Sequence, residues 1–126
     1  MAIHESAENY LEAILLIKRR KGAVRSMDIV NDMNFSKPSI SVAMKRLRES
    51  GHIVMDEQGY IELTDAGREI AERIYARHET FAQFLMKLGV SEKTAYEDAC
   101  KIEHDVSDES FAKVCEFMEK WKKAHG

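Results

Sequence analysis

The stretch Ser26-Met27-Asp28-Ile29-Val30-Asn31-Asp32-Met33-Asn34-Phe35-Ser36-Lys37-Pro38-Ser39-Ile40-Ser41-Val42-Ala43-Met44-Lys45-Arg46-Leu47 decides the fold. Ser26 is a candidate N-cap for a short helix carrying Ile29, Val30 and Met33. Asn34 follows, and asparagine tolerates the left-handed dihedrals of a tight turn. Ser36 then caps a second helix, with Pro38 in its first turn, where a missing N–H costs little. Ile40, Ala43, Met44 and Leu47 recur at the helical period and give this helix an apolar stripe. The pair reads as a helix-turn-helix. The other face of its second helix presents Ser36, Lys37, Pro38, Ser39, Ser41 and Val42 and is shaped to enter a DNA major groove. Hydroxyls there can meet base edges or phosphates, and Pro38 and Val42 offer apolar surface to a thymine methyl. Lys45, Arg46 and Arg48 lie further along, where phosphate contact is expected, and Arg25 joins them from the start of the motif.

Working outward, Gly51 stops the reading helix. Two short β-rich segments, Ile53 to Met55 and Tyr60 to Leu63, are joined by Asp56-Glu57-Gln58-Gly59, a hairpin pattern. Helix-turn-helix followed directly by a hairpin is the winged-helix arrangement. Upstream, a helix from Glu5 to Arg20 turns Ala7, Tyr10, Leu11, Ile14 and Leu15 to the core and ends at Gly22. Downstream, Thr64 caps a long helix from Asp65 to Leu88, with Ile70, Ile74, Phe81, Phe84, Leu85 and Leu88 as its apolar side, broken by Gly89. Ser91 opens a further helix, and Ser107 a last one with Phe111, Val114, Phe117, Met118 and Trp121. The expected fold is mainly α: an N-terminal winged helix-turn-helix domain over residues 1–74, then an all-helical dimerisation and metal-binding domain over residues 75–126.

Composition agrees. The chain has 126 residues, 44% hydrophobic and 33% charged, with one proline, which favours a mostly helical protein. No apolar run approaches the ~20 residues that span a membrane, and the N-terminus lacks the pattern of a signal peptide. A cytoplasmic location without a membrane partner is expected. The two cysteines, Cys100 and Cys115, make no disulfide framework and are expected as thiols or ligands. Net charge is −3, yet residues 18–48 hold nine basic side chains against two acidic ones. A basic segment on an acidic body suits local phosphate contact.

Cys100, Glu103 and His104 stand at i, i+3 and i+4, which on a helix places a thiolate, a carboxylate and an imidazole on one face, a credible set of transition-metal donors. Cys100 as a small buried hydrophobe is the plain alternative. His4, His52 and His125 read as structural or exposed. His78 lies on a polar stretch of the long helix, and Glu12 beside the apolar stripe of the first, one turn after Asn9. A metal site and a DNA-reading unit in one small chain suggest a metal-sensing transcription regulator. A metalloenzyme would need a nucleophile, a Gly-rich loop or a cofactor motif, and none accompanies these residues. Neither an enzyme nor a small-molecule substrate is therefore expected. The remaining alternative is a winged-helix regulator that responds to oxidants or small ligands through Cys100 without obligatory metal.

Four stretches carry a resemblance: Ser6-Ala7-Glu8-Asn9-Tyr10-Leu11-Glu12, Phe35-Ser36-Lys37-Pro38-Ser39-Ile40-Ser41, Leu63-Thr64-Asp65-Ala66-Gly67 and Glu97-Asp98-Ala99-Cys100-Lys101-Ile102-Glu103-His104. In order and spacing the chain resembles the diphtheria toxin repressor family, which includes the manganese transport repressors. The resemblance implies a cytoplasmic homodimer that represses transcription from palindromic operators when Fe(II) or Mn(II) binds between the first helix and the dimerisation half. It places the ligand positions on Asn9, Glu12, His78, Cys100, Glu103 and His104. Cys100 is the iron-type residue, Glu12 and His78 match the manganese type, and Asn9 departs from both. An accessory site of iron-type members falls on Ala82 and Tyr96, neither a suitable ligand. Many iron-type members carry a further C-terminal domain like an SH3 barrel, and none is expected here. The Cys100 thiolate is softer than a carboxylate and favours Fe(II), with Co(II), Ni(II) and Zn(II) able to substitute in vitro, over Mn(II). Asn9 and Glu12, as oxygen donors, pull toward Mn(II). The charged thiolate is given more weight, so Fe(II) is expected ahead of Mn(II). Phe84, Leu88, Phe111, Val114 and Trp121 are expected to form the dimer face, being more aromatic and apolar surface than one small core needs.

Overall fold

The computed structural model describes residues 5–103 and 105–125, with the backbone alone for residues 5 and 6. Six helices and one two-stranded ribbon follow in the order α1 (Glu5–Lys21), α2 (Ser26–Met33), α3 (Lys37–Glu49), β1 (Ile53–Met55), β2 (Ile61–Leu63), α4 (Asp65–Lys87), α5 (Glu92–Ile102) and α6 (Asp108–His125). The chain forms two compact units, residues 1–74 and residues 75–126, and the boundary falls within α4.

The first unit is built on long aliphatic side chains. Leu11, Ile14 and Ile17 of α1, Ile29 of α2, Ile40 and Met44 of α3, and Ile53 and Ile61 of the ribbon are all nearly or wholly removed from water. Each lies at the helical or alternating period of its element, so one face of every element is drawn inward by the same apolar term. Asn34 ends α2 in the left-handed conformation (φ 59°, ψ 36°), with its N–H on the Val30 carbonyl. The Ser36 hydroxyl caps α3 by accepting from the Ser39 N–H at 3.3 Å.

The cap of α2 differs from the sequence expectation. Arg25, not Ser26, is the N-cap residue. The Asp28 carboxylate accepts the Arg25 N–H at 2.9 Å, closing the first turn from inside the helix. The hydrogen bond from the Lys21 ammonium, then that Arg25 N–H, hold the Asp28 carboxyl below its ordinary value. Ser26 is already the first residue of the helix, and the side-chain bond that closes this end comes from Asp28 to the Arg25 N–H.

The ribbon is antiparallel, with Ile53 opposite Leu63 and Met55 opposite Ile61. Its turn is held by the Asp56 carboxylate, which accepts from the Gln58 and Tyr60 N–H groups at 3.0 and 2.9 Å. The Thr64 hydroxyl then donates to the Gly51 carbonyl at 2.7 Å and accepts from the Gly67 N–H at 3.2 Å. Gly67 is required by contact: a Cβ there would sit 2.0 Å from the His52 carbonyl oxygen. That close approach gives a physical reason for Thr64-Asp65-Ala66-Gly67.

The second unit has a thinner centre. Phe81 and Ala82 of α4 and Ala99 of α5 are buried, with Tyr96, Ile102, Val106, Phe111 and Val114 packed against them only in part. No residue of α6 is buried, though the helix runs for 18 residues. Leu88 and Phe117 are 66% and 49% exposed.

Candidate nucleic-acid interface and metal centre

The turn of α3 about its axis sorts its residues cleanly. Ile40, Met44 and Leu47 point into the core. Ser36, Lys37, Pro38, Ser39, Ser41, Val42, Lys45 and Arg46 are all exposed. The whole candidate reading face is thus solvent-facing, with Lys37 at the start of the helix and Lys45 and Arg46 in its C-terminal half. Arg25 is exposed as well, but its guanidinium is turned onto the wing, donating to the Gln58 carbonyl and lying 5.0 Å from the centre of the Tyr60 ring. It thereby braces the wing against the start of α2.

The basic run at the end of α1 has a different fate. Lys18 pairs with Glu62 at 2.6 Å, Arg19 with Glu72 at 3.4 Å, Arg20 with Asp32 at 3.6 Å, and Lys21 with Asp28. Two of these acids, Glu62 and Glu72, are distant in sequence, so a count along the chain overstates the positive patch. Among the described residues, Lys37, Lys45, Arg46 and Arg48 enter no ion pair, and the usable cations are those of α3.

In the first unit, Glu12 is buried on α1, 6% exposed among Leu11, Ala13, Ile14 and Leu15, and Asn9 is half-buried one turn earlier. In the second unit, Glu103 is 2% exposed. α5 stops at Ile102, and Glu103 follows it directly. Glu103 is the C-cap, still in helical dihedrals, with its N–H on the Ala99 carbonyl. Cys100, one turn back, is half-buried. His104 lies outside the described residues.

His78 and Glu103 offer ligand atoms within 4.8 Å of each other. The Nε2 atom of His78 is 3.0 Å from the Tyr96 carbonyl oxygen. A carbonyl only accepts, so Nε2 carries a proton, and Nδ1 is the nitrogen through which the ring could ligate. A histidine held by a carbonyl on one nitrogen is oriented to ligate through the other. The Tyr96 hydroxyl donates to Glu79 at 2.9 Å, and that bond keeps its phenol pKa above the ordinary value. An imidazole and a carboxylate sheltered from water are donors that fit a first-row divalent ion. Ala82 is wholly buried in the core and Tyr96 spends its hydroxyl on Glu79.

Sequence reasoning missed Arg77. It is 8% exposed, on the stripe of Ile70, Ile74 and Phe81. A charged residue at an apolar position of α4 was the available signal.

An exposed reading helix with a wing, followed by a helical unit that brings histidine to carboxylate, defines a metal-responsive DNA-binding regulator. The chain belongs to the iron-dependent repressor family: residues 2–67 match its N-terminal DNA binding domain, and residues 64–126 its metal binding and dimerisation domain. It is 37% identical over 120 residues to an uncharacterised HTH-type transcriptional regulator of Methanocaldococcus jannaschii, covering 94% of this chain and 96% of that one. It is 34% identical to the HTH-type transcriptional regulator MntR of Geobacillus kaustophilus, covering 81% of this chain and 72% of that protein. Among solved structures, the manganese regulator SloR is similar with a TM-score of 0.79 and 28% identity over 94% of this chain. The chain spans 55% of the SloR length. IdeR of T. acidophilum shares the fold, with a TM-score of 0.80 at 24% identity. Among the described residues, no helix is long and apolar enough to cross a membrane.

Proposed function

We propose that this chain is a dimeric repressor that grips a palindromic operator when a divalent ion is bound by residues of both units. The observation that carries the reading is the approach of the His78 and Glu103 ligand atoms to within 4.8 Å, in the part of the chain that matches a metal binding domain. Glu12, a buried carboxylate on α1, is the proposed contribution of the first unit, with Asn9 beside it, and Cys100 and His104 complete the set. A bound ion would supply a shared positive centre for these donors. The residues themselves do the coupling: ligands on α1 and ligands on α4 and α5 cannot all be satisfied unless the two reading helices are held at one separation, about 34 Å for successive major grooves. Metal and DNA then raise each other's affinity, typically by about 1–3 kcal/mol.

Two features bear on the ion. The Cys100 thiolate supports Fe(II). The imidazole–carboxylate pair and the likeness to a manganese regulator support Mn(II). The proposed effector is therefore Fe(II) or Mn(II), and Cys100 is the residue that sets the preference. Dimer formation through α6 is supported by the family's dimerisation domain and by the uncovered apolar side chains of that helix. Cytoplasmic location and the absence of catalysis follow from this role.

Operator binding measured by fluorescence anisotropy, under anaerobic conditions with Fe(II), Mn(II) or Zn(II), tests the proposal. Glu103→Ala and His78→Ala should abolish metal activation while leaving a folded dimer. Wild-type activation in either variant, or DNA binding indifferent to metal, would refute it. Cys100→Glu should move the preference toward Mn(II), and an unchanged preference would remove Cys100 from the metal site.

A further inference from the structure

Arg77 is the one buried cation among the described residues. Burying a guanidinium is expensive unless its donors are met. Here Nη1 donates to Asp108 at 3.0 Å, and Nη2 to the carbonyl oxygens of Glu103 and Val106 at 3.1 and 2.7 Å, while the buried Nε has no hydrogen-bond partner. The guanidinium carbon lies 4.7 Å from the centre of the Phe111 ring. All four partners belong to the α5–α6 connection or the first turn of α6. The next residue of α4 is His78, whose ligand atom faces the Glu103 carboxylate within 4.8 Å. So α4 meets residue 103 twice: His78 opposite its side chain and Arg77 at its carbonyl.

We propose that Arg77 is a positioning residue that couples occupancy of the His78–Glu103 pair to the first turn of α6. The inference rests on the reading of those two residues as ligands. Ligation restrains the Glu103 carboxylate and, through one residue's bonds, its carbonyl. The guanidinium bound to that carbonyl passes the restraint to Asp108 and Phe111, where the helix with the uncovered apolar face begins. The planar fork matters, because one ammonium cannot reach a carboxylate and two carbonyls in these directions at once. Asp108 is the separable arm: its side chain is fully exposed apart from this bond, at 101% against 9% for Arg77, so its removal leaves the core intact.

The test uses the full chain with Mn(II) as probe, reading affinity from the electron paramagnetic resonance of unbound Mn(II) and α6 from amide hydrogen exchange across residues 103–115. In the wild-type chain Mn(II) should slow exchange in the first turn of α6. Asp108→Asn should bind Mn(II) with near wild-type affinity and lose that slowing. Arg77→Lys should weaken Mn(II) binding by about 10- to 100-fold, the range for a residue that orients a ligand, and lose the slowing too. Without metal, Asp108→Asn should already exchange faster at Phe111. Full slowing in Asp108→Asn, wild-type affinity in Arg77→Lys, or Mn(II) binding with no slowing in the wild-type chain overturns the coupling. A wild-type chain that binds neither Mn(II) nor Fe(II) overturns the ligand reading itself.

Discussion

The two units bury different things. The first closes over Leu11, Ile14, Ile17, Ile29, Ile40, Met44, Ile53 and Ile61, eight long side chains with at most 2% of their surface in water. The second is centred on Phe81, Ala82 and Ala99, two of them alanines, while its last helix has no fully buried residue and packs there only in part. Buried apolar area is what offsets the entropy of ordering a chain. The first unit therefore carries its own stability, and the second has apolar surface still to cover. A DNA-reading head gains from a rigid frame. A half that must respond to an ion and a second subunit gains from a core completed by what it binds.

The largest test of that contrast sets Ile40→Ala beside Phe117→Ala. Ile40 is fully buried and its truncation should cost about 2–5 kcal/mol in urea unfolding. Phe117 is 49% exposed and meets Phe84 edge-to-face, so truncation should cost monomer stability only about 0.5–1.5 kcal/mol, while raising the dimer dissociation constant in sedimentation equilibrium. Equal losses of folding stability would erase the contrast.

Next in size is Gly67→Ala. The added methyl meets the His52 carbonyl, 2.0 Å from the ideal Cβ position, and α4 or the ribbon must move, at a cost of about 1–3 kcal/mol. A melting temperature equal to wild type would show that the first unit is less rigidly packed than its burial suggests.

Asp28→Ala should remove the inner cap of α2, at about 1 kcal/mol near neutral pH. Because the folded-state pKa of Asp28 is lowered, the carboxylate stabilises the fold above its ordinary value of 3.8 and this contribution fades as the pH falls through the folded value. The urea midpoints of variant and wild type should converge in acid, and a gap that persists there would mean the cap is not electrostatic.

The smallest effect separates the two cationic clusters inside the first unit. Lys45→Ala should lower the slope of log binding constant against log salt by about 0.9, one phosphate contact. Lys18→Ala should leave the slope unchanged, since Lys18 is held by Glu62 at 2.6 Å. Equal slopes for the two variants would put the end of α1 on the DNA.

Most of the fold was legible because each element announces itself locally. The left-handed Asn34, the Ser36 cap, the Asp56-Glu57-Gln58-Gly59 turn and the glycine after α4 act within a few residues of where they are read, and the periodic stripes of α1, α3 and α4 needed only a helical wheel. The site was legible in part. Glu12 and His78 were assigned as ligands through family resemblance, whereas Glu103 was named by its spacing from Cys100 on a helix that ends at Ile102, one residue before it. What stayed hidden was tertiary pairing. Neither the neutralisation of Lys18 and Arg19 by Glu62 and Glu72 nor the reach of Arg77 across to Asp108, 31 residues away, leaves a trace in spacing. The cap on α2 was missed for a smaller reason: the polar residue nearest the helix start was chosen over the charged one inside it.

The contact at Gly67 also governs how the wing can come apart. A ribbon of two three-residue strands has too few bonds to hold by itself. It is tied at its base to the first turn of α4 through His52, Thr64 and Gly67, with the Thr64 N–H on the His52 carbonyl at 3.1 Å. Fraying of the wing from that base breaks the helix cap, and fraying of that turn leaves the ribbon without its anchor. The two therefore open as one cooperative unit. In native-state hydrogen exchange their amides should share a single opening free energy, and the wing should keep its place for as long as the first turn of α4 stays wound.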